Sequence, residues 1–228
     1  NYKSNPERFV NRLYNMKLNN KINTPIGGEP NPRIPYPTDE DWVKTTLPWM
    51  AYGYGVSLTP LQILTFYNAV ANNGEMVKPK FANKISSIGN KPIHEINKEI
   101  IMPSICSKKN LDIVKQMLEN IVQKPWGTAN RINDDYIKIA GKTGTSQTGY
   151  DKKGDKSVNV QYIASFVGYF PSDNPKYTGI VVIHEPKKSK GYYGGTVAAP
   201  VFKRIAQKIQ SLSPTIVEIN KKDIDNLF

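Results

Sequence analysis

Apolar residues along the chain keep two spacings. In "SNPERFVNRLYNMKL", "SLTPLQILTFYNAVANNGEM" and "SKKNLDIVKQMLENIVQK" they return every three to four residues, the period of a helix. Asn5 is placed to cap the first helix and Pro6 to take its first position, with Phe9, Leu13 and Met16 on one face. The second starts at Thr59 and Pro60 and stops at Gly74. Leu61, Leu64 and Ala69 form its apolar face, and Ile63, Phe66, Tyr67 and Val70 make it nearly apolar all round, which predicts burial. The third is capped by Ser107 and carries Ile113, Met117 and Ile121 on one stripe, with Leu118 and Val122 beside them.

Between the first two helices, residues 19–49 hold "TPIGGEPNPRIPYPTDEDW", too rich in proline for helix or central strand. "FANKISSIGNKPIHEI" predicts a hairpin turning at Gly89-Asn90. Three strands follow, "YIKIAGKTGTSQ", "VQYIASFVGYF" and "YTGIVVIHEP". The links "TGYDKKGDKSVN" and "PSDNPK" carry no helix signal, so the strands are expected to be antiparallel neighbours. The third is apolar on much of both faces and is expected at the centre of the sheet. A closing helix, "TVAAPVFKRIAQKIQSL", presents Val197, Val201, Ile205 and Ile209, with Val201 and Ile205 expected to cover the sheet. The class is α+β, an antiparallel sheet covered by helices, in one domain without repeats.

Composition supports a packed core, with 39% hydrophobic and 10% aromatic residues in 228. The longest apolar runs are far too short to span a bilayer. The opening "NYKSNPERF" is polar and reads as a cut inside a larger protein. A net charge of +12 suits an anionic partner. The lysines are scattered, however, and the densest group is Lys187, Lys188 and Lys190 in a turn. No RNA-binding or zinc-finger pattern accompanies them, so no nucleic-acid partner is expected. One cysteine, Cys106, excludes an internal disulfide. With only His94 and His184 beside it, no metal site and no cofactor are expected.

The chemistry-bearing stretch is "IAGKTGTSQTG" from Ile139 to Gly149. Lys142 offers positive charge for a carboxylate and Thr143 a hydroxyl for the same group. Gly144 lets a substrate backbone come close, and a backbone N–H just beyond can stabilise an oxyanion. Strand alternation sends Lys142 and Gly144 to one face and Thr143 and Thr145 to the other. The four therefore meet in one site only if the strand is an edge or is bulged. An edge strand whose lysine merely blocks aggregation would look the same.

Longer motifs surround that stretch in order: "YGYGVSLTPLQILTFYNAVANNGEMVKPKF", "KPWGTANRI", "YIASFVGYFPSDNPKYTGIVVIHEP" and "GYYGGTVAAPVFKRI". Together they resemble the transpeptidase domain of class B penicillin-binding proteins. The cell-division (FtsI) type in a Bacteroidetes-like form is the most similar, and the resemblance covers nearly the whole chain. It implies a penicillin-binding-protein/β-lactamase-like fold, of which residues 1–228 would be the C-terminal part. It also implies a serine-type D,D-transpeptidase that cross-links peptidoglycan stem peptides ending in D-Ala-D-Ala and is acylated by β-lactams. The parent would be anchored at the periplasmic face of the inner membrane and would meet divisome membrane proteins.

By the same resemblance, Lys142 and Thr143 hold the carboxylate, Gly144 admits the substrate, and the N–H of Thr145 is half of the oxyanion hole. Tyr162, Tyr192, Tyr193 and Gly194 would line the pocket, although each tyrosine could equally be strand packing or turn filling.

The family's nucleophile is missing. No serine in the chain has a lysine three residues later. "SDN" at Ser172–Asn174 follows the KTG strand, whereas in the family the S-x-x-K and S-x-N motifs precede everything seen here, so it is expected to be an inter-strand turn. The nucleophile is expected in an upstream segment, and this chain is expected to be inactive alone. Two alternatives remain at this point. One is a penicillin-binding sensor that keeps the pocket without catalysis. The other is a basic polymer-binding domain, supported by charge alone.

Overall fold

The computed structural model describes residues 2–88, 92–148, 161–187, 189 and 191–212. The Gly89-Asn90 turn, most of "TGYDKKGDKSVN", Lys188, Lys190 and the polar tail lie outside the described residues.

The first helix, α1 (Glu7–Asn15), follows Pro6, and Asn5 accepts a hydrogen bond from the Arg8 N–H at 3.3 Å. The proline-rich stretch is irregular as its composition predicts, but it ends in an unpredicted six-residue helix, α2 (Thr46–Ala51). Pro48 is tolerated there because it falls in the first turn, where an N–H has no helical partner in any case. Met50 of α2 packs with Val10 of α1 and Ile34 into a small core that ties this segment down.

Helix α3 (Pro60–Ala71) begins as predicted. Its Thr59 hydroxyl accepts from the Gln62 N–H and the Gln62 side chain accepts from the Thr59 N–H, at 3.1 and 2.8 Å. Strands β1 (Met76–Val77) and β4 (Ile100–Met102) pair antiparallel, as do β2 (Lys84–Ser86) and β3 (Pro92–Glu95) of the predicted hairpin.

Helix α4 (Lys108–Gln123) is capped by Ser107. Its buried face is Leu111, Leu118 and Val122, not the predicted stripe: Ile113 and Met117 are 43% and 59% exposed, and Ile121 alone of the three packs inward. Two adjoining apolar stripes occur on this helix, and spacing alone does not say which one meets the sheet.

Strands β5 (Ala140–Gln147), β6 (Tyr162–Phe170) and β7 (Tyr177–His184) form one antiparallel sheet in the order β5-β6-β7, in unbroken register from Ala140↔Tyr169 to Gln147↔Tyr162 and from Phe170↔Tyr177 to Ile163↔His184. The expectation that the third strand lies centrally is corrected: among the described residues β7 has a strand neighbour on one side only. Its two-sided apolar pattern has another cause. Val181 and Ile183 face the closing helix, while Thr178, on the other face, meets α3 through the Asn68 side chain. Apolar residues on both faces report layers above and below, not strands alongside.

The closing helix is also corrected. It is split into α5 (Gly194–Val197) and α6 (Ala199–Leu212), because Pro200 has no N–H to continue the first turn. The face on the sheet is Ala199, Phe202 and Ala206, and Ile205 is 47% exposed. Phe202 sits edge-on to Phe166 and Phe170, with ring centroids 4.9 and 5.8 Å apart. Burying each such ring is worth about 1.5–3 kcal/mol. Small alanines on α6 bring the helix close enough for Phe202 to reach both partners.

The sheet thus has α5 and α6 on one face, with Ile137, Ile139 and Phe166, and α3 and α4 on the other around Ala140 and Tyr169. Burial raises the pKa of the Tyr169 phenol well above the usual value.

The lead into β5 is held by Asp134. Its carboxylate accepts from the N–H groups of Tyr136 and Ile137 at 2.9 and 3.2 Å and from the Gln207 amide at 3.0 Å, and it pairs with Lys203 at 3.0 Å. Burial opposes ionisation, but the Tyr136 N–H and the Lys203 and Gln207 side chains outweigh it and hold the pKa below the ordinary value. A depressed carboxyl stabilises the fold above its unfolded pKa near 3.8, and that contribution disappears as pH falls through the lower folded value. Asp134→Asn is therefore expected to lower stability by about 1.5–3 kcal/mol at pH 7 in urea unfolding. The gap between the two proteins should close below pH 4; a gap that stays constant with pH would contradict this role.

Candidate active site at the edge of the sheet

The residues from Lys142 to Thr145 lie in the middle of β5, and no strand pairs with the outer side of β5 among the described residues. The register is unbroken, so there is no bulge. The strand is an edge, the condition the sequence set for groups on its two faces to meet in one site. Alternation holds as predicted: Lys142 stands opposite Val167 on the α3–α4 face, and Thr143 opposite Phe166 on the α5–α6 face.

Lys142 is exposed and makes no ion pair among the described residues; its Nζ donates to the Thr143 carbonyl at 2.9 Å. The Thr143 hydroxyl lies 3.0 Å from the hydroxyl of Thr128. Thr128 was not singled out from the sequence. It belongs to "KPWGTANRI", fifteen residues upstream, and only the fold brings it to β5. Fully buried Ala129, whose N–H reaches the Ile121 carbonyl at 3.0 Å, anchors that loop against the end of α4.

The Thr145 hydroxyl accepts from the Gly194 N–H at 3.0 Å. This contact requires glycine. A Cβ on Gly194 would strike the carbonyl oxygens of Ser165 and Gly144, and a Cβ on Gly195 the carbonyl oxygen of Thr128. The start of α5 therefore lies directly on the backbones of β5 and β6. Gly144 is less constrained, since a Cβ there would meet only the Ser165 hydroxyl, the tip of a side chain that can turn away.

Tyr193 precedes this contact, and three tyrosines stack beside it. Tyr162 lies on the same sheet face as Thr145. It stacks on Tyr192 at 4.1 Å between centroids, and Tyr192 meets Tyr193 at 4.5 Å. The Tyr192 and Tyr193 hydroxyls are 3.2 Å apart, and the bond to Tyr192 raises the pKa of Tyr193. The eight residues singled out from the sequence thus lie on β5 (Lys142 to Thr145), at the start of β6 (Tyr162) and at the entry to α5 (Tyr192, Tyr193 and Gly194).

Ser172 does not join them. It lies in the turn between β6 and β7, 5% exposed, with its N–H on the Lys138 carbonyl at 2.8 Å. Lys138 is four residues before Lys142, about 13 Å along a strand.

A family model described as the penicillin-binding protein transpeptidase domain matches residues 2–207. The chain belongs to this family. Among its relatives is the peptidoglycan D,D-transpeptidase FtsI of Buchnera aphidicola subsp. Baizongia pistaciae, 35% identical over 160 residues that cover 70% of this chain and 26% of that protein. Penicillin-binding protein 3 of Mycobacterium tuberculosis, in a crystal structure complexed with ampicillin, superposes with a TM-score of 0.77 at 27% identity over 95% of this chain and 48% of that one. The transpeptidase domain of Burkholderia pseudomallei penicillin-binding protein 3 gives 0.70 at 26% identity, covering 92% and 58%. The chain spans about a quarter of the curated relative and about half of each solved chain. Its α+β fold is that of these transpeptidase domains. Among the described residues, no helix is long and apolar enough to cross a membrane.

Within this family fold the glycine contact between α5 and the edge strand is a structural requirement. Gly194→Ala is expected to cost about 1–3 kcal/mol in urea unfolding, because backbone rather than a flexible side chain blocks the new methyl. A change under about 0.5 kcal/mol would show that α5 does not lie on β5.

Proposed function

We propose that this chain is the C-terminal part of the transpeptidase domain of a class B, cell-division-type penicillin-binding protein from a Bacteroidetes-like source. In the whole protein it would form the carboxylate-binding wall of a serine D,D-transpeptidase. The observation that carries this reading is the Lys142–Thr145 segment on an unpaired edge strand, with Lys142 free of any carboxylate among the described residues and Thr145 bonded to Gly194. A stem peptide ending in D-Ala-D-Ala pairs with the open edge, as an added strand would. Gly144 leaves room for it. The Lys142 ammonium neutralises the terminal carboxylate and the Thr143 hydroxyl donates to it, with the Thr128 hydroxyl 3.0 Å away and able to donate to the Thr143 oxygen in turn. Tyr162, Tyr192, Tyr193 and Gly194 close the pocket at the far end.

The nucleophile comes from an upstream S-x-x-K segment, for which the α3–α4 face beyond α3 offers a site: Ile163 and Val182 there are only partly buried, on the same face as Lys142. The serine oxygen attacks the carbonyl carbon of the penultimate D-Ala, with the lysine of that motif as base. The oxyanion is held by the N–H of Thr145 and that of the serine itself. The C–N bond breaks and the terminal D-Ala leaves as an amine carrying the proton. An amine of a neighbouring stem peptide then takes the acyl group and restores the serine. A β-lactam enters the same way, but its ring nitrogen stays tethered after the amide bond opens, so the serine remains blocked. The reaction places the domain at the periplasmic face of the inner membrane, anchored by a segment elsewhere in the protein, among the membrane proteins of the division machinery.

With the upstream segment present, fluorescent penicillin should label the protein, whereas the 228-residue chain alone should not be labelled. Lys142→Ala should reduce the acylation rate by about 30- to 1,000-fold, the equivalent of losing about 2–4 kcal/mol of preorganised charge contact. Ser172→Ala should leave the rate within about two-fold. Labelling of the isolated chain, or its abolition by Ser172→Ala, would overturn the reading.

A further inference from the structure

A large cavity among the described residues lies away from β5's open edge, at the opposite end of the sheet. It is about 680 Å³ and sits between the end of α3, the strand leading from β1, α4 and the β6–β7 turn. Lys78, Lys80, Lys98, Lys115 and Lys176 line it, with Asp173 as its one acidic side chain.

Most of the negative charge nearby is already spent. Lys78 pairs with Glu99 at 3.1 Å and Lys98 with Glu75, and Asp173 is engaged by Lys138 at 3.3 Å. The other three ammonium groups have no carboxylate partner among the described residues. Lys115 donates to the Asn73 side chain at 2.9 Å and Lys80 to the Ile96 carbonyl at 3.2 Å, while Lys176 makes no ion pair. Three cations around one concavity repel one another, and a counter-charge entering it relieves all three at once. The wall also presents neutral polar groups, including the Asn68 amide bonded to Thr178 at 3.3 Å. The volume falls within the range of small-molecule sites. No arginine lines the cavity, so it lacks the planar fork that recognises a single carboxylate in two-point fashion. Several point charges on flexible stems suit a compact group carrying more than one negative charge.

We infer that this cavity binds a phosphate-bearing ligand with at least two negative charges, either a free polyphosphate-type anion or the headgroup of an anionic lipid. It is independent of the acyl-transfer reading, because it uses none of the residues along β5.

Calorimetric titration of the protein carrying its upstream segment with inorganic tripolyphosphate at low ionic strength tests it, with co-sedimentation on phosphatidylglycerol vesicles as the second arm. The variant Lys80→Ala/Lys115→Ala/Lys176→Ala is compared with Lys44→Ala/Lys109→Ala/Lys208→Ala, which removes equal charge at exposed sites outside the cavity. The cavity variant should lose at least ten-fold in affinity and the control less than two-fold, with both retaining the wild-type melting curve. Tripolyphosphate binding alone would assign a free anion, and vesicle binding through the same lysines would assign the headgroup. Equal loss in both variants, or no binding in either arm, would overturn the proposal.

Discussion

The contact of Gly194 with the edge strand is the constraint on which the site depends. Two backbones meet where side chains would normally keep them apart, and one hydrogen bond, from the Gly194 N–H to the Thr145 hydroxyl, closes the gap. The contact fixes where α5 begins and which way Thr145 turns. It also sets the tyrosine column beside the strand, since Tyr193 immediately precedes it. On the far side, Gly195 lies against the carbonyl of Thr128, so the same turn sets the loop that supplies the hydroxyl next to Thr143. Three segments distant in sequence are thereby held to one another through glycine backbone, where no rotamer can loosen the geometry.

The edge strand has an opposite requirement. Its outer hydrogen-bonding groups must stay available, yet open edges invite aggregation. Here the exposed charge of Lys142 and the covering α5 limit uncontrolled pairing, while the outer backbone groups of β5 stay without a strand partner among the described residues. One lysine thus meets both the structural and the chemical reading. The two readings cannot be separated by inspecting the strand; they are separated by what surrounds it.

Local signals were legible where local physics decides. The Thr59–Pro60 start of α3, the Ser107 cap of α4, three antiparallel strands in sequence and the α+β class all follow from capping, alternation and short links. The eight candidate residues come from motif and resemblance, and the fold brings them near one another across β5, the start of β6 and the entry to α5. What failed depended on neighbours. Ile113 and Met117 form as good a stripe as Leu111 and Leu118, and packing against β5 chose the latter. Pro200 lies inside one continuous apolar period, although its missing N–H divides α5 from α6. The pattern of β7 predicts a central strand because layers on both faces give the same alternation as strands on both sides. Thr128 had no signal of its own, since a hydroxyl fifteen residues away gains meaning only from the loop that returns it.

The central proposal is that this chain holds the carboxylate-binding half of an acyl-transfer site and that the nucleophile is supplied by an S-x-x-K segment outside these 228 residues. Peptide mapping by mass spectrometry, on the protein carrying its upstream segment and saturated with a penicillin, tests it most directly. The account predicts a single adduct on the serine of an S-x-x-K motif upstream of Asn1. An adduct on any serine within this chain, Ser172 above all, would contradict it.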